Sequence, residues 1–114
     1  MAYDEDLAER IRELIAGEQR LTEQRMFGGL AFLVGRNMAV AASGQGGLLV
    51  RVDPAMSEEL TATTLATPMM MRGRPMRGWL RVPAADVRTK RQLRKWVDIG
   101  TSYARSAKEN KQSR

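Results

Sequence analysis

The chain has 114 residues, of which 43% are hydrophobic, the size and make-up of one ordinary globular domain. It contains neither cysteine nor histidine, which excludes disulfide scaffolds, the usual zinc sites, serine-histidine and cysteine-histidine pairs, and the commonest general base near neutral pH. Its net charge of +6 is unevenly spread, with −4 over residues 1–24, zero over 25–71, +8 over 72–95 and +2 over 96–114, so that a basic pole can meet phosphate, an acidic partner protein or the chain's own acidic start.

From Tyr3 to Ile15 the apolar residues Tyr3, Leu7, Ile11, Leu14 and Ile15 recur at spacings of three and four. With acids at Asp4, Glu5 and Asp6, where the helix dipole favours them, and Gly17 as a stop, this spacing predicts an amphipathic helix. The next stretch, LTEQRMFGGLAFLVGRNMAVAASGQGGLLVRV, holds three apolar runs punctuated by GRN and GQGG. Those punctuations are hairpin signals, and an antiparallel meander of three strands is expected. Strict alternation puts Leu30, Phe32 and Val34 on one face, as it does Met38, Val40 and Ala42, and also Val50 and Val52.

Asp53 and Pro54 open a short helix with Met56 and Leu60 one turn apart, because proline suits a first helical turn. Thr67 and Pro68 end that segment, and MMM followed by PMRGWLRV reads as two strands around Arg72, Gly73 and Arg74, the second stopped by Pro83. Thr89 and Gln92 have the spacing of a capping box. In the helix that follows, Leu93, Trp96, Val97, Gly100, Tyr103, Ala104 and Ala107 fall on one arc and Lys90, Arg91, Arg94 and Lys95 on another, one face for a core and one for water. Residues 109–114 are a charged tail with little to bury.

The expected fold is therefore a single α+β domain over residues 1–108 in the order α-β-β-β-α-β-β-α. It has two layers, with an antiparallel sheet of about five strands and the helices on one face. The acidic start and the lack of any apolar run near the ~20 residues that span a bilayer point to a soluble cytoplasmic protein without membrane contact.

Chemistry finds few footholds. Gly44, Gly46 and Gly47 lie between two strands rather than between strand and helix, so they read as a hairpin turn and not a phosphate cradle, and Gly28 and Gly29 read as a bulge. The acids outside the first 24 residues are scattered or adjacent on a short helix, and no nucleophile-base pair, metal site or cofactor site emerges. A small enzyme is the least favoured reading.

The basic pole carries the binding candidates. Alternation along Met76–Val82 puts Arg77, Trp79 and Arg81 on the face opposite Met76, Gly78, Leu80 and Val82. With Arg51 they would line an open sheet face. Arginines interleaved with an aromatic suit single-stranded nucleic acid, through phosphate contacts and stacking, and equally suit a protein interface, including a homodimer. They also suit a merely solubilised sheet whose arginines pair with the first helix. Lys90, Arg91, Arg94 and Lys95 would add backbone contacts if nucleic acid is the partner.

Several residues together carry a resemblance: Arg25-Met26-Phe27-Gly28-Gly29, then Phe32 and Met38, Leu49-Val50-Arg51, the Gly73-Arg74-Pro75-Met76 and Trp79 segment, and Leu93, Trp96 and Val97. On these the chain resembles the N-terminal domain of the TfoX/Sxy family, from the first helix to about Ala107. The resemblance implies a two-layer α+β fold and a regulatory role by protein binding. Longer members regulate natural competence with the cyclic-AMP receptor protein, which implies a partner in the transcription machinery. Those members carry a second, helical domain, and this chain ends soon after the first, so it is expected to be a stand-alone copy. The resemblance implies no catalytic residues.

Overall fold

The computed structural model describes residues 3–26 and 28–106. The elements run α1 (Glu5–Ile15), β1 (Leu21–Met26), β2 (Gly29–Val34), β3 (Asn37–Ala42), β4 (Leu48–Arg51), α2 (Pro54–Thr63), β5 (Thr67–Met71), β6 (Arg74–Val82) and α3 (Lys90–Ser106). The strands make one open antiparallel sheet in the order β1-β2-β3-β4-β6-β5.

The helices start where side chains can satisfy their first amides. Asp4 accepts from the Leu7 amide at 3.1 Å, and Asp53 accepts from the Ala55 amide at 3.0 Å beside Pro54. Ahead of α3 the capping box closes in both directions. The Gln92 amide donates to Thr89 Oγ1 at 3.1 Å, and Gln92 Oε1 accepts from the Thr89 amide at 3.0 Å.

All three helices lie on one face of the sheet. Leu7, Ile11 and Ile15 of α1, Leu60 of α2 and Leu93, Trp96 and Val97 of α3 close over Phe32, Val40, Val50, Leu80 and Val82. This apolar layer is the main source of stability, because burying a large aliphatic or aromatic side chain contributes roughly 1.5–3 kcal/mol. α3 sits especially close to β3: a Cβ on Gly100 would lie 2.4 Å from the Ala39 carbonyl oxygen.

The sheet has six strands where the sequence pattern suggested about five. The extra one is β1, LTEQRM, whose residues from Thr22 to Arg25 are exposed on both faces. It is an edge strand, and a polar edge gives no apolar alternation while discouraging further strands from pairing. Gly28, at φ +73°, belongs to the turn joining β1 to β2, where Met26 pairs directly with Gly29. It is a hairpin turn rather than the bulge expected there. The Gly44–Gly47 segment is a turn as expected, with the Ser43 amide donating to the Gly47 carbonyl at 3.0 Å.

A bulge does occur in β3. Phe32 opposes Val40 while Leu33 opposes Met38, so Ala39 is the extra residue and Met38 packs with Ala41 instead of sharing a face with Val40. The tail expected over residues 109–114, and Ala107, lie outside the described residues. Among the described residues, no helix is long and apolar enough to cross a membrane.

Candidate interaction face

The helix-free face of the sheet is apolar at its centre. Ala31, Met38, Ala41, Leu49 and Met69 are buried there although no helix among the described residues packs on them. Small alanines occupy the middle, and the partly buried side chains of Met26, Leu33, Met76 and Trp79 pack against the cluster. Long, flexible thioethers are well suited to filling such shallow relief.

Trp79 and Met76 share this face because of Gly78. In an unbroken strand, residues three apart point to opposite sides. Gly78 sits at φ +85°, and the β5–β6 register shifts from Pro68↔Leu80 to Met69↔Met76, so the alternation breaks there. Arg77 is thereby parted from Trp79 and Arg81. Its Nη2 points to the Pro54 carbonyl at 3.5 Å, and it lines a groove with Pro54, Ala55, Ser57 and Glu58 of α2. The exposed row Arg77-Trp79-Arg81 expected from alternation is corrected to Trp79 and Arg81, with Arg77 turned to α2.

Arg51 and Trp79 are cross-strand partners. The Arg51 guanidinium carbon lies 4.6 Å from the Trp79 ring centroid and 5.4 Å from that of Tyr103 on α3, close enough for cation–π attraction to both. The β3–β4 ladder runs only from Ala42↔Leu48 to Val40↔Val50. At the end of β4, therefore, an arginine from the sheet meets an aromatic from each layer. Arg51 Nε is buried without a hydrogen-bond acceptor among the described residues. Nearby in the register, Arg81 pairs with Leu49 and its Nη1 donates to Ser43 Oγ at 3.2 Å.

Lys90, Arg91, Arg94 and Lys95 are exposed on α3, in the other layer from the Trp79 face. Lys95 Nζ lies 5.5 Å from the Trp96 ring centroid. The candidates thus fall into three groups: Arg51, Trp79 and Arg81 on the helix-free face, Arg77 beside α2, and the four cations of α3. Sequence reasoning missed Tyr103 and Ser43 as partners of Arg51 and Arg81. Tyr103 reads as part of a helical core arc, and Ser43 as a turn residue.

Among the described residues, the acidic first helix makes no ion pair with these arginines. Its ion pairs run from Arg12 to Glu9 and to Glu23 of β1, each at 2.7 Å. The hydrogen bond from Arg12 holds the Glu23 carboxyl below its ordinary value. Among the described residues no cluster of acids has the arrangement of a metal site.

Residues 13–104 match the family described as the TfoX N-terminal domain. The chain belongs to that family. The match covers the last three residues of α1, the whole sheet, α2 and nearly all of α3, and so includes each of the three groups of candidates. TfoX N-terminal domains are linked to competence regulation and are generally regulatory rather than catalytic. Comparison with curated proteins and with solved structures gave no match.

Proposed function

We propose that this TfoX N-terminal domain is a non-enzymatic adaptor that acts in competence-type transcriptional regulation by binding a protein, through the face that carries Trp79. The observation that supports this reading most is the character of that face: over a buried layer of alanine, leucine and methionine it presents the partly exposed side chains of Met26, Leu33, Met76 and Trp79, with Arg51 stacked on Trp79 at one end. Tryptophan and arginine are enriched where a few residues dominate binding energy, and methionine adapts to a partner's relief. A component of the transcription machinery is the partner class to search first, and a second copy of the chain is the other protein occupant to test.

Direct nucleic-acid binding is the second reading, favoured by the exposed Lys90, Arg91, Arg94 and Lys95. These sit on successive turns of α3, a geometry suited to phosphate contact. They lie away from Trp79, so this mode would be electrostatic and steeply weakened by salt. The deciding experiment is capture of partners from native lysate with and without nuclease, using wild type, Trp79→Ala and the double variant Lys90→Glu/Arg91→Glu. Nuclease-resistant capture lost only in Trp79→Ala supports the protein reading. Capture abolished by nuclease and by the double variant replaces it with the nucleic-acid reading.

A further inference from the structure

A guanidinium is planar, carries five N–H donors along its edge and stacks well on aromatic rings. Arg51 has the rings but lacks the acceptors. Trp79 and Tyr103 approach its Cζ at 4.6 Å and 5.4 Å, and Nε is sealed from solvent with nothing among the described residues to accept its proton. Its two terminal nitrogens are not sealed, and among the described residues no carboxylate or carbonyl accepts from them. A buried donor without an acceptor costs about 1–3 kcal/mol, and one explanation of such a group is a ligand that completes the site. The ordering of the arginine side chain, a large entropic cost in most ion-pair formation, is already met by the rings.

The surroundings select the ligand. Strand positions on this face, from Gln24 and Met26 in β1 to Arg51 in β4 and Trp79 and Arg81 in β6, include no aspartate or glutamate. Among these strand positions the charge of Arg51 therefore meets no acid, whereas on the α3 side Asp53 and Asp98 line a pocket with Tyr103. Nucleic acid would need several cations in line to follow successive phosphates, yet Arg81 already donates to Ser43 and Arg77 is turned to α2. A single guanidinium beside apolar side chains suits one planar carboxylate carried on a carbon chain.

We propose that Arg51, held by Trp79 and Tyr103, receives the carboxylate of an acidic side chain on a partner protein, with the apolar part of that segment lying on Trp79 and the neighbouring methionines. This assignment rests on the reading that the Trp79 face binds protein and supplies its chemistry: an acidic residue flanked by apolar ones.

The test uses the intact labelled protein and nuclear magnetic resonance, following the Arg51 Nε–H and Trp79 indole signals during titration with acetate, butanoate, hexanoate and inorganic phosphate. Both signals should move and saturate with the carboxylates, with affinity rising by up to roughly fourfold for each added methylene that packs on the partly exposed Trp79 and Met76 side chains. Arg51→Lys keeps the charge but loses the planar fork and should bind about tenfold more weakly. Tighter binding of phosphate than of hexanoate overturns the proposal in favour of a phosphate site, and no response at Arg51 overturns it altogether. Should Arg51→Lys fail to fold, the wild-type series alone decides. In lysate capture, a partner lost with Trp79→Ala but retained by folded Arg51→Lys leaves protein binding standing and removes the carboxylate assignment. Carboxylate titration of Arg51 with no protein captured removes the protein occupant.

Discussion

Replacing Gly78 by alanine tests the device that sorts the arginines of β6. At φ +85° a side chain is strained, and the new Cβ would lie 2.9 Å from the Val52 carbonyl oxygen and 3.2 Å from Pro54 Cγ. The left-handed backbone costs about 1–2 kcal/mol for a residue with a Cβ, and crowding against backbone adds a further cost of about 1–3 kcal/mol. A combined loss of about 3 kcal/mol follows, which in a domain of this size lowers Tm by about 12 °C. Gly73, at φ +79° with nothing within 4 Å of a built Cβ, is the control. Gly73→Ala should carry only the backbone part and lose roughly 4–8 °C. Thermal unfolding followed by circular dichroism measures both, and the indole resonance of Trp79 in the magnetic-resonance spectrum reports on its packing apart from that of the buried Trp96. Equal losses in the two variants, or none in Gly78→Ala, would refute the close approach of β6 to Val52 and Pro54 and with it the separation of Arg77 from Trp79.

Gly100→Ala sets two effects against each other: helix propensity favours alanine by about 1 kcal/mol, but the Cβ would meet the Ala39 carbonyl oxygen at 2.4 Å. Crowding wins, and urea denaturation should show a net loss of about 2 kcal/mol. Glu23 is held below its ordinary value of 4.5 by its bond from Arg12, so its contribution is present above that value and lost as pH falls through the lowered one. Glu23→Gln should flatten this part of the acid limb of a stability–pH curve. The effect should be small, because the Arg12 and Glu23 side chains are 39% and 35% exposed. Trp79→Ala should leave a folded domain while removing the ring beside Arg51, which isothermal titration of a captured partner would register as a loss of at least tenfold in affinity, the scale of an interface hot spot.

Much of the fold was legible because its signals are local. The Thr89–Gln92 box, the Asp53-Pro54 start and the glycine-marked hairpins each depend on residues close in sequence, and the structure contains all of them. β1 was illegible for the reason that makes it a good edge: Thr22 to Arg25 face water on both sides and show no alternation. The facing of β6 was read correctly from Trp79 to Val82 and failed at Arg77, because period-two reasoning assumes an unbroken ladder. Gly78 inside the strand was the available signal. The bulge at Ala39 misled the facing of Met38 in the same way, without any glycine to mark it. The contact of Arg51 with Tyr103 joins β4 to α3 across the layers, and no local pattern encodes a pair so distant in sequence.

The central claim is that the helix-free face binds protein. It is tested most directly by nuclease-treated capture from native lysate with wild type and Trp79→Ala, both first shown to be folded. The account predicts one specific protein retained by wild type after nuclease, released by Trp79→Ala and unaffected by Lys90→Glu/Arg91→Glu. Retention of the same protein by Trp79→Ala, or its loss on nuclease treatment, would contradict it.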